Sequence, residues 1–416
     1  MPAFTSIQNI LAAFAIILIE LLIRAGLDKV LALSGGPVLV GLMGQLQSVV
    51  ELVNAVTLAG VLQGLTVMIA QSRDPDNEHS LLKSALKLGM GISSLMALLI
   101  ALSAPWLADL LTQAKVATML FLLAAVTGVL MVIPATLNAY WLGKHQQSRM
   151  LRLTLLSSLS WVLMALGAGL GLSLTGLMLL QCVALSCIAT AIWRYLRKDL
   201  LGVVTDFRKL LKYVPVGLSI GILSPVSMLL IRGLLSGMLS WEEVGFLQGL
   251  WRCSDWVTST AAGVLSLIFL PRLSSSGTSH FKHEMLRAGI IVLLPAACLL
   301  LLIYVNQNSM LSTLYDTRFT VSDKTAGLFL AGSWIRIASW LFLFGLYATH
   351  RTRLIATGEL LSLPLLALLL WLFADGMTLE RCALIYLLSY AVYLCFNAAA
   401  LLYTSGCLRL KQAASV

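Results

Sequence analysis

The chain has 416 residues, of which 59% are hydrophobic and 11% charged, with a mean hydropathy of +0.93. Soluble globular domains carry about 25% charged residues, so composition excludes a water-soluble protein. The formal net charge of +10 would in a soluble chain point to nucleic acid; here its placement along the chain gives it another meaning, and no nucleic-acid partner is expected.

Apolar runs of about 20 residues, each long enough to cross a hydrocarbon core of roughly 30 Å, predict an all-α, polytopic membrane protein of about twelve transmembrane helices. The expected spans are 8–32, 39–70, 82–104, 115–139, 150–171, 175–196, 213–237, 243–270, 287–306, 325–349, 354–374 and 379–404. The opening M-P-A-F-T-S-I-Q-N has no Lys or Arg and no A-x-A site follows, so the first span does not read as a cleaved signal peptide. Within span 1, I-E-L-L-I-R-A-G-L-D-K-V places Glu20, Arg24 and Asp28 four residues apart on one face, with Lys29 on another. S-G-G-P at 34–37 breaks the chain before span 2, which carries Glu51. Pro134 lies near the end of span 4.

The polar interval 197–212 falls near the midpoint and reads as a short interfacial helix joining two halves. Span 7 holds Pro215 and Pro225, candidate kinks or hinges, and Arg232. Span 8 holds Arg252 and Asp255, three residues apart and able to meet. Span 10 has Arg336 in W-I-R-I-A-S-W, with no acid on its own helix, and span 11 has Glu359 near its cytoplasmic edge. Span 12 carries Tyr386, Tyr390 and Tyr393 as a stripe, for packing or as a sugar-facing wall.

Each ionisable residue at a helix centre costs at least about 2.5–3.5 kcal/mol on insertion scales. Five cations (Arg24, Lys29, Arg232, Arg252, Arg336) and five acids (Glu20, Asp28, Glu51, Asp255, Glu359) therefore face one another or a hydrated cavity. Intrahelical neutralisation accounts equally for Glu20–Arg24 and Arg252–Asp255, and snorkelling for Lys29 and Arg232. Arg336 near mid-depth needs a partner from another helix or a ligand. Five cations balanced by acids suit an anionic ligand that is held and then released, and the arginine fork suits phosphate oxygens.

The loop charges set the orientation. Nineteen Lys and Arg fall on one side of the expected spans and four on the other, so the richer side, with both termini, is expected to be cytoplasmic. V-G-L-M-G-Q-L-Q-S-V-V-E-L-V from Val40 aligns with V-G-F-L-Q-G-L-W-R-C-S-D-W-V from Val244 at an offset of 204. The alignment pairs Glu51 with Asp255, and across a one-residue gap Lys29 with Arg232. Two parallel six-helix bundles around a central cavity follow, a 6+6 pseudo-repeat with domains at 1–203 and 204–416.

No catalytic constellation is visible. His79, His145, His280, His283 and His350 lie in expected loops or at span ends, and H-F-K-H has no further ligand beside it. The seven cysteines form no C-x-x-C pair and read as buried small hydrophobes. No P-loop is present. No metal, cofactor or enzymatic activity is expected.

L-S-G-G-P-V-L-V-G with A-Q-S-R downstream, S-W-E-E-V-G-F-L-Q-G (240–249), the following S-D and L-P-R-L-S (270–274) resemble the Wzx family of lipid-linked oligosaccharide flippases. That family lies in the multidrug/oligosaccharidyl-lipid/polysaccharide exporter superfamily. The arrangement of Arg336, Glu359 and the three tyrosines also resembles its O-antigen and enterobacterial-common-antigen branch. The resemblance implies a flippase that carries an undecaprenyl-diphosphate-linked oligosaccharide from the cytoplasmic to the periplasmic leaflet of the bacterial inner membrane, by ion-coupled alternating access. Arg24, Lys29, Arg232, Arg252 and Arg336 would hold the diphosphate and glycan. Glu20, Asp28, Glu51, Asp255 and Glu359 would balance charge or carry a coupling proton. Membrane lipids, a glycan polymerase and a chain-length regulator are the implied partners. A cation-coupled multidrug exporter and a membrane glycan polymerase are the alternatives; the first wants a more acidic cavity and the second a larger periplasmic loop.

Overall fold

The computed structural model describes residues 2–72, 74–112, 118–144, 146–200, 207–212, 214–216, 221–275, 278–349 and 351–413. Every regular element among them is helical. In chain order these are α1 (Pro2–Val56), α2 (Gln63–Gln71), α3 (Pro75–Thr112), α4 (Thr118–Gly143), α5 (Gln147–Gly169), α6 (Leu174–Leu200), α7 (Arg208–Leu211), α8 (Val214–Val216) and α9 (Leu223–Met238). Then follow α10 (Trp241–Val264), α11 (Leu270–Ser275), α12 (Thr278–Val305), α13 (Gln307–Leu314), α14 (Asp323–Ala348), α15 (Thr352–Leu360), α16 (Leu363–Leu372) and α17 (Leu379–Ala413).

The S-G-G-P break is where the sequence places it. Gly36 takes φ 67° and ψ −164°, in the left-handed region that favours glycine, and Pro37 begins the next helix. Nine helical stretches among the described residues are long and apolar enough to cross a bilayer. The first, Leu21–Gln71, contains expected spans 1 and 2 on either side of Gly36. Expected spans 7 and 8 are not among the nine. Leu223–Met238 is too short, and α10 carries Glu242, Glu243, Arg252 and Asp255, which dilute its apolar character.

Span 7 also departs from the expected kinked rod. Pro225 sits in the first turn of α9, where a missing N–H leaves no helical hydrogen bond unmade, so it starts that helix instead of kinking it. The expected domain boundary at 203/204 lies outside the described residues. The interfacial helix expected over 197–212 is represented by the end of α6 and the four-residue α7.

The chain divides into two compact units, residues 1–233 and 234–416. In the first, the helical stretch 37–71 is packed closely by small residues. A Cβ at Gly128 would fall 2.6 Å from Val53, and one at Gly143 would fall 2.8 Å from the Thr66 carbonyl oxygen. Without a water-driven hydrophobic force between helices in lipid, such close backbone approach and interhelical hydrogen bonds hold a bundle. Thr57 Oγ1 lies 2.9 Å from Ser93 Oγ, Thr66 Oγ1 donates to Ala139 O at 3.1 Å, and Ser34 Oγ donates to Ala168 O at 2.9 Å. At the expected cytoplasmic end, Lys144 pairs with Glu78 at 2.5 Å, and that hydrogen bond raises the lysine above its ordinary pKa.

The second unit is filled with aromatics. Tyr386 stacks on Phe329 (4.4 Å, 11°) and meets Trp251 edge-on at 5.5 Å. Gly332 on α14 makes room: a Cβ there would lie 2.6 Å from Tyr386. Pro295 lies within α12, and the Trp334 indole donates to Leu293 O at 3.1 Å beside it. Both units widen into a π-helical turn on the helix that carries the paired acids, at Thr57–Leu62 and Leu265–Phe269. The S-W-E-E run is a capping box: Ser240 Oγ accepts from Glu243 N–H, and Glu243 Oε2 accepts from Ser240 N–H.

The cysteines divide differently from expectation. Cys182, Cys253 and Cys382 are buried, but Cys187, Cys298 and Cys395 are exposed. The outside of a membrane helix is apolar too, so a small apolar side chain does not need a protein interior.

Candidate functional site

The second unit brings six of the expected site residues into one column. Arg336, on α14, donates Nη1–H to Asp255 Oδ1 of α10 at 3.2 Å. The Arg336 side chain is 16% exposed and the Asp255 side chain 39%, so the pair is reachable from one side. The guanidinium lies 4.7 Å from the Trp340 ring centre and 5.7 Å from that of Tyr390, a cation–π arrangement that fixes its plane. Trp340 is one helical turn beyond Arg336. The i,i+4 spacing in W-I-R-I-A-S-W carried that signal, although sequence reasoning did not single Trp340 out.

The tyrosines continue the column. Tyr386, Tyr390 and Tyr393 are each at most 2% exposed and pack edge-to-face in succession, at 4.9 and 6.1 Å. In this conformation the stripe packs and does not wall an open space, because α14 and α17 lie against each other and the rings fill the seam. Tyr386 Oη is 3.3 Å from Ser333 Oγ, and Tyr393 Oη donates to Glu359 Oε1 at 3.1 Å. Asn397, one turn beyond Tyr393 and fully buried, lies against Gly358, where a Cβ would stand 2.8 Å from its Oδ1. Cross-helix pairing to Arg336 also shows what spacing within α10 did not: Asp255 reaches a different helix from the one that bears Arg252.

The first unit holds most of the remaining charges. Arg24 is exposed, with its guanidinium 5.6 Å from the Trp161 ring centre. The Glu20 side chain lies outside the described residues, so the expected Glu20–Arg24 contact does too. Asp28 is buried, Lys29 half-buried and Glu51 exposed. Arg232 is buried and donates Nη1–H to Gly44 O at 2.7 Å and to Ser48 Oγ. Arg252, in the second unit, is half-buried.

His280 and His283 are exposed on α12, and His145 and His350 lie outside the described residues. No group of three His, Cys, Asp or Glu suited to a metal ion occurs among the described residues. Outside the spans, Arg318 bridges Asp316 and holds that carboxyl below its ordinary range.

Known proteins match this architecture. The chain is 24% identical over 387 residues to the Lipid III flippase of Escherichia coli (strain K12), covering 89% of this chain and 92% of that one, and equally to the Lipid III flippase of Shigella flexneri. Among solved structures it resembles an inward-facing multidrug resistance MATE family transporter of the MOP superfamily, with TM-score 0.74 and 12% identity, covering 94% of both chains. It also resembles the lipid II flippase MurJ in an inward closed conformation, with TM-score 0.70 and 14% identity, covering 95% of this chain and 87% of that one. The polysaccharide biosynthesis protein family model matches residues 37–319. That stretch runs from the proline after the Gly36 break into the interval between α13 and α14, and the chain belongs to the polysaccharide biosynthesis protein family.

Proposed function

We propose that this multi-pass membrane protein is a flippase for a lipid-linked oligosaccharide. The substrate is an undecaprenyl diphosphate carrying a short O-antigen or enterobacterial-common-antigen repeat unit, moved from the cytoplasmic to the periplasmic leaflet of the bacterial inner membrane. The family, the Lipid III flippase relatives and the superfamily fold support this reading. The observation that carries it is Arg336, a cation within an apolar 26-residue helix, paired with a partly exposed aspartate and packed on two aromatic rings.

Such a pair can exchange partners. A diphosphate displaces Asp255 and takes the guanidinium through charge-assisted hydrogen bonds; on release, Asp255 takes it back. Burying an unpaired charge is avoided at both stages. Arg24, Lys29 and Arg252 supply further positive charge toward the diphosphate and glycan. Glu20, Asp28, Glu51 and Glu359 balance it or carry a coupling proton during alternating access. The protein then works as a transporter and not an enzyme, through twelve crossings with both termini cytoplasmic, alongside a glycan polymerase and a chain-length regulator.

A second reading is a multidrug exporter, favoured by the structural likeness to a multidrug resistance transporter. Reconstitution separates the two. Liposomes containing the purified protein should expose a labelled undecaprenyl-diphosphate oligosaccharide to an impermeant glycosidase. Arg336→Ala should slow this about 100-fold, the equivalent of roughly 2.7 kcal/mol, with partial retention in Arg336→Lys. Extrusion of cationic dyes without lipid flipping, or an unaffected Arg336→Ala, would sink the proposal.

A further inference from the structure

We infer that the basic rim around α7 binds the headgroups of anionic phospholipids in the leaflet at that end of the first unit. Arg194, Lys209 and Lys212 are its main phosphate contacts, with Arg152 and Arg208 beside them. Such a site goes beyond the transport reading and does not depend on which substrate is carried.

The stretch 197–212 is a polar interval in an apolar chain, and transport gives it no task. Its described end, α7, is R-K-L-L between Phe207 and Lys212. Leu210 is fully buried and joins one core with Leu82 of α3, Tyr140 of α4, Leu153 of α5 and Ile192 of α6. These residues lie near the starts of α3 and α5 and the ends of α4 and α6. One apolar side chain therefore seats α7 at the end of the unit where those helices start and finish. A single helical turn is costly to form on its own, so the surface around Leu210 matters for holding it.

That surface mixes cations with large apolar groups. Arg208, Lys209, Leu211 and Lys212 are exposed, Leu211 by 48%. Residues beside the same core continue the pattern. On α6, Trp193 (54% exposed) and Arg194 follow the buried Ile192. On α5, Arg152 precedes the buried Leu153, and Leu155 and Leu156 are exposed one turn on. Large apolar side chains exposed among cations suit neither water nor a soluble anion. They suit the boundary between headgroups and acyl chains. There Leu and Trp enter the apolar layer, while Lys and Arg run their stems along it to reach phosphate oxygens.

The charge is one-sided. Among the described residues, the opposite ends of α3, α4, α5 and α6 carry a single charged side chain, Asp109. The acids at the α7 end are Asp74, Asp76 and Glu78, just before α3 and in its first turn, and Glu78 pairs with Lys144. Among the described side chains, α5, α6 and α7 bring cations and no acid to that end; Asp199 and Asp206 lie outside them. An anionic leaflet attracts such a segment by about fivefold in affinity for each Lys or Arg near its surface.

The test uses the purified full-length protein in nonionic detergent, titrated with phosphatidylglycerol or phosphatidylethanolamine and read by native mass spectrometry. Wild type should hold phosphatidylglycerol more tightly than phosphatidylethanolamine, and less tightly as ammonium acetate is raised. Arg194→Gln, Lys209→Gln and Lys212→Gln together should weaken phosphatidylglycerol binding about 100-fold, roughly fivefold per cation. Phosphatidylethanolamine binding should not change. Arg351→Gln with Arg353→Gln, at exposed cations of the second unit, should leave the tightest site as it was. If the triple variant fails to fold, Lys209→Gln alone decides, with about a fivefold loss expected. Unchanged affinity in these rim variants, equal binding of the two phospholipids, or an equal loss from the Arg351 and Arg353 pair overturns the inference. Displacement of phosphatidylglycerol by inorganic phosphate would assign the rim to a free anion, and displacement by equimolar undecaprenyl diphosphate would assign it to a transported lipid; either overturns it too. None of these readouts needs flipping, so failure of the transport reading is told apart from failure of this one.

Discussion

The two units solve the same problem of membrane packing with different side chains. The first holds its helices by close approach, with glycines at 128, 143 and 221 seated against the stretch 37–71. The second holds them by filling space, with Tyr386, Tyr390, Tyr393, Phe329 and Trp251 nested between α10, α14 and α17. The acids differ in step. The sequence offset pairs Glu51 with Asp255, yet Glu51 is exposed while Asp255 is bound to Arg336. The buried cations are held differently too: Arg336 by Asp255 and two aromatic rings, Arg232 by the Gly44 carbonyl and the Ser48 hydroxyl.

Breaking the Arg336–Asp255 pair should show the largest effect. Arg336→Ala removes the guanidinium from Asp255, Trp340 and Tyr390 but leaves a carboxylate that is 39% exposed, and should destabilise the second unit by about 2–3 kcal/mol, read as a lower melting temperature in detergent. Adding Asp255→Ala should recover most of that stability but no transport. A double variant that flips normally would remove the pair from the mechanism.

Next in size are the glycine contacts, which probe the two packing styles. Gly143→Ala points a methyl at the Thr66 backbone oxygen, which cannot turn aside, and should cost about 1–3 kcal/mol. Gly332→Ala meets a Tyr386 ring locked by Phe329 and Trp251 and should cost a similar amount. Gly249→Ala, where the nearest atom is 3.4 Å away, should change the melting temperature little. Equal tolerance at all three sites would undo the distinction between close-packed and filled units.

The acids separate more finely. Asp255→Asn should lower stability by about 1–3 kcal/mol, since Arg336 keeps a hydrogen-bond acceptor but loses its counter-charge. Glu51→Gln, with an exposed side chain, should leave the melting temperature within about 0.5 kcal/mol of wild type. The reverse order would show that the offset alignment mispairs them.

The smallest expected effect is at Lys144–Glu78. Their partly exposed pair should be worth no more than about 1 kcal/mol. Because the folded lysine is raised above 10.5, its contribution is fully present below the ordinary lysine range and is lost as pH rises through the raised value. Lys144→Met should therefore cost the same at pH 6 and pH 8, and progressively less in strong alkali. A melting temperature difference that grows between pH 8 and pH 6 would contradict this assignment.

Helix content and the Gly36 break were legible in the sequence. They follow from local rules: apolar run length and the backbone freedom of glycine. The choice of partners was not legible. Spacing along α10 offers Arg252 to Asp255, but Arg336 lies 81 residues away, and only the meeting of α10 with α14 brings Arg336 and Asp255 to 3.2 Å. The tyrosine stripe showed its period but not its burial, because a ring against another helix and a ring against open space have the same spacing. The neighbours of span 7 were not legible either: Gln45 donates to Leu229 O, Arg232 to Gly44 O, and Gly221 stands against Ala55. Periodicity reports which residues share a face; which face meets which is decided by long-range packing, where glycine clearances and carbonyls left over at helix ends select the neighbour.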